Sequence, residues 1–124
     1  MTTATADRRR AWQRGRRAEG LAVLFLRLKG WRVLARRYRT PVGEIDIVAR
    51  RGRTVIFVEV KARDGAAPAA EAALRRQRRR IERAARWFLA RYPDAVPEAL
   101  RFDVVLVAPW RPPLHIAGAW REGE

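Results

Sequence analysis

The segment GEIDIVARRGRTVIFVEVK, residues 43–61, leaves little choice of fold because its pattern predicts a β-hairpin. Apolar and β-branched residues stand on both sides of a short turn rich in Arg and Gly, as they do in paired strands. A turn centred on the Arg-Gly step sets Ile45 opposite Val58 and Ile47 opposite Ile56. One face of the hairpin is then continuously apolar and predicts part of a core.

The same register gathers carboxylates on the other face. It sets Glu44 opposite Glu59 and Asp46 opposite Phe57, so that Asp46 and Glu59 become diagonal neighbours, roughly 5–8 Å apart at Cβ. Lys61 shares this face, but one lysine does not balance three like charges. A hard divalent cation would, since Mg²⁺ and Mn²⁺ prefer oxygen ligands and often use two carboxylates plus water. The pattern predicts a metal site held by Asp46 and Glu59.

The alternative is a set of solvent-facing charges on an amphipathic sheet. Two observations favour the metal site. The surrounding residues Val48, Val55 and Phe57 are apolar, so this face is not simply wet. Lys61 is one of two lysines among 28 basic residues, and Arg would serve a position that needed only positive charge.

The composition excludes several other chemistries. The chain has no Cys and no Ser, which excludes serine and cysteine nucleophiles and thiolate metal sites. His115 is the only histidine, so a histidine-rich metal site is excluded. No apolar run is long enough to span a membrane, and the N-terminal segment lacks the apolar core of a secretion signal. We expect a cytoplasmic protein.

The net charge of +15 favours a polyanionic partner. Nucleic acid is the commonest such partner, ahead of an anionic membrane surface. A genome-wide coding bias toward Arg would produce the same charge without a partner. We expect nucleic acid, and no membrane.

The length of 124 residues predicts one domain. We expect a disordered tip at residues 1–6, the domain at 7–120 and a tail at 121–124. The predicted elements are a helix at 7–29 stopped by Gly30, strands at 31–39, 44–49 and 54–61, a helix at 69–91, and strands at 101–109 and 114–120. This order, α-β-β-β-α-β-β, predicts an α/β fold with a mixed sheet flanked by helices.

The second predicted helix carries a run of arginines that could follow a phosphate backbone. The run could equally be an ordinary solvated helix face. The candidate nucleic-acid-binding residues are Arg75, Arg76, Arg79 and Arg80.

The aromatic residues and the lone histidine are less specific. Five tryptophans could stack on bases, although Trp31 and Trp120, in predicted strands, are expected in the core. His115 has no evident catalytic partner and is interpreted as structural. Asp103 could close the edge of the site or pair with Arg101, and the structural role is preferred.

Asp46, followed thirteen residues later by Glu59-Val60-Lys61, resembles the bipartite motif of the PD-(D/E)xK nucleases, the restriction-endonuclease-like superfamily. The segments AEGLA, GEIDIVA, IFVEVKAR and RFDVV together resemble the YraN-like family of uncharacterised proteins, family 0102, over residues 15–120. The resemblance implies a restriction-endonuclease-like core similar to Holliday-junction resolvases. It implies that Asp46 and Glu59 are metal ligands and that Lys61 is the catalytic lysine.

The resemblance extends to two helical positions. Superfamily members often add a glutamate from the first helix as a further metal ligand, and Glu19 stands at that place, although it could equally be an ordinary partner of an Arg. Relatives usually carry Lys in the second helix where this chain has Gln77. Helical spacing places Gln77 on a predicted core-facing stripe with Leu74, Ile81, Ala84 or Ala85, and Phe88. A Gln there could bind phosphate or water but supplies no charge, or it could satisfy a backbone group.

Two further details concern the motif itself. The literal Pro-Asp pair of the nuclease motif is absent, since Ile45 precedes Asp46. Glu44 belongs to the GEID pattern of the family, where it could support the metal ligands or bind a second ion.

The resemblance implies a metal-dependent endonuclease that hydrolyses DNA phosphodiester bonds with Mg²⁺ or Mn²⁺. No sequence-reading motif such as a helix-turn-helix stands out, which favours branched or damaged DNA as the substrate. Resolvase-like relatives act as dimers, so a homodimer is expected by analogy. Two alternatives remain open: an inactive nucleic-acid-binding module on the same fold, and a basic protein–protein or ribosome-associated adaptor.

Overall fold

The computed structural model describes residues 3–62, 71–93 and 97–124, with side chains from residue 15 in the first helix and from residue 74 in the second. Two helices and five strands follow one another in the predicted order, and this α/β architecture is consistent with a restriction-endonuclease-like core. The elements are α1 (Thr3–Leu28), β1 (Arg32–Thr40), β2 (Gly43–Arg51), β3 (Thr54–Ala62), α2 (Glu71–Arg91), β4 (Ala99–Val107) and β5 (Leu114–Trp120).

The observed bounds differ from the predicted ones mainly at the ends of the elements. α1 begins at Thr3 and therefore reaches into the segment that we expected to be disordered. β4 begins and ends two residues earlier than predicted. The predicted loop at 64–68 and the predicted first residues of the second helix, 69–70, lie outside the described residues.

The five strands form one sheet in chain order, β1-β2-β3-β4-β5. The pair β3–β4 is parallel and the other three pairs are antiparallel. A parallel pair needs a crossover connection, and α2 lies in it. The start of β2 and the ends of β3 and β4 therefore lie together, where the strands end and not along an outer strand. We call this end of the sheet the site edge.

The two helices cover opposite faces of the sheet. α1 packs through Ala18, Ala22, Val23 and Leu26 against a cluster that includes Ile56. α2 packs against a second cluster through Ile81, Ala84, Ala85 and Phe88. Burial of these apolar side chains is the main stabilising term of such a layered fold. Neither helix is long and apolar enough, in its described residues, to cross a membrane.

α1 ends at the glycine that was predicted to stop it. Gly30 has φ 91°, its N–H donates to the Arg27 carbonyl, and the Trp31 N–H donates to the Leu26 carbonyl, both at 3.0 Å. This is the Schellman arrangement, in which a left-handed glycine lets the chain satisfy the last carbonyls of the helix. Leu26 and Trp31 then pack in the same buried cluster, which fixes the angle between α1 and β1.

The predicted hairpin is formed by β2 and β3, but its predicted register was wrong by two residues. The ladder pairs Ile47 with Val58 and Arg51 with Thr54. Two residues, 52 and 53, make the turn, and Gly52 has φ 61°. A glycine with positive φ at the first position of a two-residue loop is a favoured hairpin turn, and it sets the observed register.

The corrected register changes the partners of the carboxylates. Phe57 pairs with Val48, not with Asp46. Glu44 pairs with Arg39 of β1 and does not lie opposite Glu59. The predicted contact between Glu44 and Glu59 across the hairpin is therefore wrong.

The alternating apolar residues of β2 were predicted to share one face of the sheet, but on the two sides of Asp46 they lie on opposite faces. Ile47 and Ala49 pack beneath α1, whereas Ile45 belongs to the cluster beneath α2. Across from Asp46 in β1 lies Arg37, a non-glycine residue with φ 49°. A residue in this left-handed region costs on the order of 1–3 kcal/mol, and such strain is concentrated at functional sites.

Candidate active site and metal centre

Asp46 lies where β2 and β3 separate. Their ladder ends at the pair Ile47–Val58, and beyond it Asp46 Oδ2 accepts a hydrogen bond of 2.8 Å from the Val60 N–H. A side-chain carboxylate thus takes the place of a backbone carbonyl in the ladder. This bond fixes the orientation of the Asp46 carboxylate at the site edge.

Three other carboxylates act on Asp46. One step beyond the last ladder pair, the register brings Asp46 level with Glu59. Burial raises the pKa of Asp46 to about 6, the hydrogen bond from Val60 opposes this rise, and the negative charges of Glu59, Glu19 and Glu44 add to it. The folded chain therefore resists the full ionisation of this cluster.

Glu59 and Lys61 form an ion pair at the end of β3. Lys61 Nζ lies 3.6 Å from Glu59 Oε1, and their side chains are 31% and 9% exposed. Burial raises the pKa of Glu59, while the positive charges of Lys61 and Arg78 oppose the rise. The ammonium group therefore lies beside a buried carboxylate while remaining accessible to a phosphate or a water.

The carboxylates of the candidate site line two adjoining depressions, whereas Lys61 lies beside Glu59 and lines neither of the two. The depression on the α1 side has a volume of about 300 Å³, and the one on the α2 side has about 190 Å³. Glu44 and Asp46 line both and form the wall between them. The candidate residues that line one depression or the other are Glu19, Glu44, Asp46, Glu59, Gln77 and Arg80.

Glu19 is held by two arginines of β1. Arg37 Nε donates to Glu19 Oε2 at 2.8 Å, and Arg36 Nε lies 3.6 Å from Oε1. Glu19 is buried, and its Oε1 has no hydrogen-bond partner. The carboxylate thus pairs with arginines, as one of our alternatives expected, and it also lines the depression that contains Asp46.

The prediction that Gln77 lies on the buried stripe of α2 was wrong. Gln77 is exposed, and Leu74 is only half-buried. The reason is the place where α2 crosses the sheet. The backbone of α2 at Arg80 comes so close to Gly43 that a Cβ added to this glycine would lie 2.5 Å from the Arg80 carbonyl oxygen. Because α2 touches the start of β2 at Arg80, residues before it in the helix project past the site edge, and Gln77 stands at the rim of the α2-side depression.

The candidate phosphate-binding arginines lie on the exposed side of this same part of α2. We call the exposed residues Arg75, Arg76, Arg79 and Arg80 the α2 arginine strip. Arg80 lines the depression that contains Asp46 and Glu59. The α2 arginine strip thus reaches the carboxylate depression through Arg80.

The donor set fits a small cation with few protein ligands. In the described part of the chain, no three His, Cys, Asp or Glu side chains are arranged to hold a metal ion by themselves. Asp46 and Glu59 offer carboxylate oxygens only, and Mg²⁺ is often held by one or two carboxylates with water and substrate phosphate. A cation would stabilise the ionised Asp46, whose pKa is raised by burial and by the neighbouring carboxylates, and Glu19 Oε1, which has no hydrogen-bond partner, could accept from a water bound to the cation.

Asp103 and His115 lie outside this site, on the α1 side of β4 and β5. His115 Nε2 is 2.6 Å from Asp103 Oδ2, and Lys29 Nζ is 2.7 Å from His115 Nδ1. An ammonium group can only donate, so Nδ1 accepts and the Nε2–H donates to Asp103. Arg101 donates twice to the same carboxylate, each at 2.8 Å. The structural interpretation of His115 and the pairing of Asp103 with Arg101 agree with this geometry.

The tryptophans differ in burial, and Trp87 of α2 is half-buried. Trp31 and Trp120 are buried, as expected for the two that lie near strands of the core. Trp110 is 102% exposed in the connection between β4 and β5, and the sequence reasoning gave it no separate role. The side chain of Trp12 lies outside the described residues. The signal for Trp110 was its setting, PWRPP, which is typical of a rigid loop.

Comparison with known proteins places all the candidate residues within one matched region. A family model described as "Uncharacterised protein family UPF0102" matches residues 18–107. A "UPF0102 protein" of Parvibaculum lavamentivorans is 61% identical over 111 residues, which cover 90% of this chain and 84% of that protein. Similar proteins of Mesorhizobium japonicum (51% identical, covering 94% and 93%) and Paramagnetospirillum magneticum (54%, covering 90% and 89%) carry the same description.

Proposed function

The chain belongs to the UPF0102 family, as its sequence motifs indicated, and we propose that it is a metal-dependent nuclease that hydrolyses DNA phosphodiester bonds. The observation that carries the proposal is the meeting of Asp46 and Glu59 where β2 and β3 separate. Burial raises the pKa of both carboxylates, and Lys61 lies 3.6 Å from one of them. Perturbed carboxylates beside a lysine in a depression are typical of active sites.

Each side chain has a defined task in this proposal. Asp46 and Glu59 would hold the divalent cation, Mg²⁺ or Mn²⁺. A bound cation of this kind polarises a phosphate oxygen and lowers the pKa of a bound water. The Val60 N–H keeps Asp46 in position, and Lys61 would donate to the attacking water or to a phosphate oxygen as negative charge develops.

The α2 arginine strip supports nucleic acid as the substrate. Its residues are exposed beside the carboxylate depression, and the chain as a whole carries +15. Contacts from Arg to phosphates position a duplex without reading its sequence. We therefore propose recognition of DNA by its backbone and shape.

A cleavage assay tests the proposal. The purified protein would be incubated with Mg²⁺ or Mn²⁺ and with linear, single-stranded, flap and four-way-junction DNAs. We expect metal-dependent cutting that falls by about 10²-fold or more in Asp46→Asn and Lys61→Gln. Glu98→Gln, which removes an exposed carboxylate paired with Arg53, is the matched control and should cut like the parent.

Cutting that survives both site substitutions would come from a contaminant or from another site, and would refute the assignment. Absence of cutting on every DNA in the presence of either metal would also refute it. Loss in the two site variants together with full activity in Glu98→Gln is the result that the proposal requires.

An inactive nucleic-acid-binding module is the second candidate. The observation that favours it is the neutral amide of Gln77 at the rim together with the pairing of Glu19 to Arg37. Both reduce the charge available for chemistry at the site. Turnover separates the two candidates, because an inactive module retains Asp46 and Glu59 and would bind the same DNAs without cutting any of them.

A further inference from the structure

Trp110 occupies an unusual position for a large apolar side chain. It is 102% exposed, and its backbone has φ 64°, a left-handed conformation that non-glycine residues rarely adopt and that costs on the order of 1–3 kcal/mol. Among the described residues it makes no ring stacking or cation–π contact. The exposed indole therefore adds no buried apolar surface to the fold.

Prolines restrict the loop that carries Trp110. They stand at 109, 112 and 113 on both sides of the Trp110-Arg111 pair, and each fixes its own φ near −65°. An aromatic ring on a backbone restricted in this way loses less conformational entropy on binding than one on a flexible chain. Arg111, beside it, is also exposed.

The loop projects from the site edge. β3 and β4 are parallel, with Lys61 paired to Leu106 and Ala62 to Val107, so the connection after Val107 leaves the sheet beside the end of β3. Across the next strand, Leu106 pairs with Leu114. Lys61, Leu106 and Leu114 therefore form a row on one face, at strand spacings of about 4.8 Å.

Leu106 and Leu114 of this row form an apolar ledge between Lys61 and the Trp110 loop. Leu106 is half-buried and Leu114 is 57% exposed, while Lys61 begins the row with a positive charge. A strand of nucleic acid whose phosphate reached Lys61 could continue over the ledge with its bases facing apolar side chains. Its next exposed aromatic neighbour would be the indole of Trp110.

We propose that Trp110 stacks on an unpaired base of the nucleic acid next to the scissile phosphate, so that the substrate class is single-stranded or branched DNA rather than continuous duplex. The inference rests on the proposed nuclease function for the position of that phosphate. Within a continuous duplex both faces of each base are covered by its neighbours, so an indole can stack only where a base is unpaired or at a helix end. Arg111 would contact the adjoining phosphate.

The test measures binding in a protein that does not cut. In an Asp46→Asn background, fluorescence anisotropy would compare a blunt duplex with the same duplex carrying a single-stranded flap that contains 2-aminopurine. We expect Trp110→Ala to weaken flap binding about tenfold, to leave duplex binding unchanged and to abolish the quenching of 2-aminopurine that stacking causes. Trp110→Phe should retain most of both effects.

Leu28→Ala is the matched control, because Leu28 is 78% exposed and lies at the opposite edge of the sheet. It should leave both affinities unchanged. Equal weakening of flap and duplex by Trp110→Ala, or no weakening of either, would overturn the inference. Thermal unfolding midpoints of the variants, expected to match the parent because the side chain is exposed, exclude misfolding as the cause.

The result also separates this inference from the nuclease proposal. A protein that cuts DNA but whose flap preference does not depend on Trp110 supports the nuclease and refutes the stacking role. A protein that never cuts but prefers flaps through Trp110 refutes the nuclease and supports stacking.

Discussion

At the scale of single residues, the Asp46 carboxylate links the fold to the candidate function. Its pKa rises from 3.8 to about 6 on folding, chiefly because it is buried. Between these values the folded chain binds more protons than the unfolded chain, so stability falls as pH rises through that window and stays lower above it. The buried Asp46 carboxylate therefore lowers the free energy of unfolding of the metal-free protein at neutral pH.

Asp46→Asn should remove this cost, because an amide oxygen can still accept from the Val60 N–H. Without metal, we expect the variant to be more stable than the parent by on the order of 2 kcal/mol near pH 8, and to differ little near pH 4. Urea unfolding in EDTA at the two pH values measures this. Millimolar Mg²⁺ should stabilise only the parent. Equal stability of the two proteins at both pH values would contradict the pKa shift.

The pKa of Asp103, on the α1 side of the sheet, is shifted in the opposite direction to the pKa of Asp46. Burial alone would raise its pKa, but hydrogen bonds from Arg101, His115 and the Gly118 N–H hold the pKa at about 2. A carboxylate with a lowered folded pKa stabilises the fold above its unfolded pKa, and this contribution disappears as pH falls toward 2. Asp103 is therefore a stabilising charge, unlike Asp46.

Asp103→Asn should destabilise the protein by about 2–4 kcal/mol at neutral pH, since Arg101 and His115 lose a charged partner in a buried setting. The difference from the parent should shrink near pH 3. Urea unfolding at both pH values is the measurement, with Glu98→Gln as a control that changes stability by less than about 0.5 kcal/mol. A loss that does not depend on pH would mean that packing, not charge, explains the effect.

At the scale of elements, the contact between α2 and the start of β2 fixes the position of the site. A Cβ at Gly43 would lie 2.5 Å from the Arg80 carbonyl oxygen, whereas a Cβ at Gly20 in α1 would meet nothing within 4 Å. Of these two positions, only Gly43 requires a glycine, because the backbone of α2 leaves no room there for a Cβ. Because Glu44 and Asp46 lie within three residues of Gly43, displacement of α2 would displace the carboxylates.

Gly43→Ala should therefore destabilise the fold by about 1–3 kcal/mol through overpacking, and we expect it to lower cleavage as well. Gly20→Ala, next to Glu19, should stabilise the fold by about 0.5–1 kcal/mol, since Ala favours a helix over Gly. Chemical unfolding of the two variants with cleavage rates measured in parallel tests both. If Gly43→Ala proved as stable as the parent, the close approach of α2 would be disproved.

The sequence predicted the elements well and their register poorly, for a physical reason. The alternation of apolar and polar residues fixes which face each residue takes, and a slip of two residues leaves every face unchanged. The pattern therefore could not distinguish the pair Ile45–Val58 from the observed pair Ile47–Val58. The decision lay with Gly52, whose positive φ places the two-residue turn at residues 52 and 53.

The misplacement of Gln77 has a related cause. Helical periodicity correctly identified the buried residues Ile81, Ala84, Ala85 and Phe88, but it does not reveal where the sheet beneath the helix ends. Likewise, the change of face at Asp46, which lies across from the left-handed Arg37 of the neighbouring strand, has no signal in the alternation of β2. The residues of the candidate site were found by their chemistry and spacing, while their exposure depends on tertiary contacts that no local pattern contains.

At the scale of the whole molecule, positive charge is divided between two edges of the sheet. The α2 arginine strip lies at the site edge, while Arg32, paired with Arg50, and Arg121, which follows the Trp120–Phe102 pair, lie at the opposite edge. All are exposed. If only total charge mattered, arginines at either edge would contribute equally to DNA binding. The proposed site instead predicts that the two edges differ.

The double substitution Arg79→Gln/Arg80→Gln should lower DNA affinity for all sequences. Each lost phosphate contact removes about 0.9 from the slope of log K against log salt concentration, so the slope should decrease in magnitude by about two. Arg32→Gln/Arg121→Gln has the same net charge and should keep nearly the parental slope. Fluorescence anisotropy across a salt series measures all three proteins. Identical slopes for the two double variants would show that DNA binding depends on overall charge and would refute the site edge as the binding face. A nuclease must bring the phosphate to Asp46 and Glu59, so its DNA must bind at that edge.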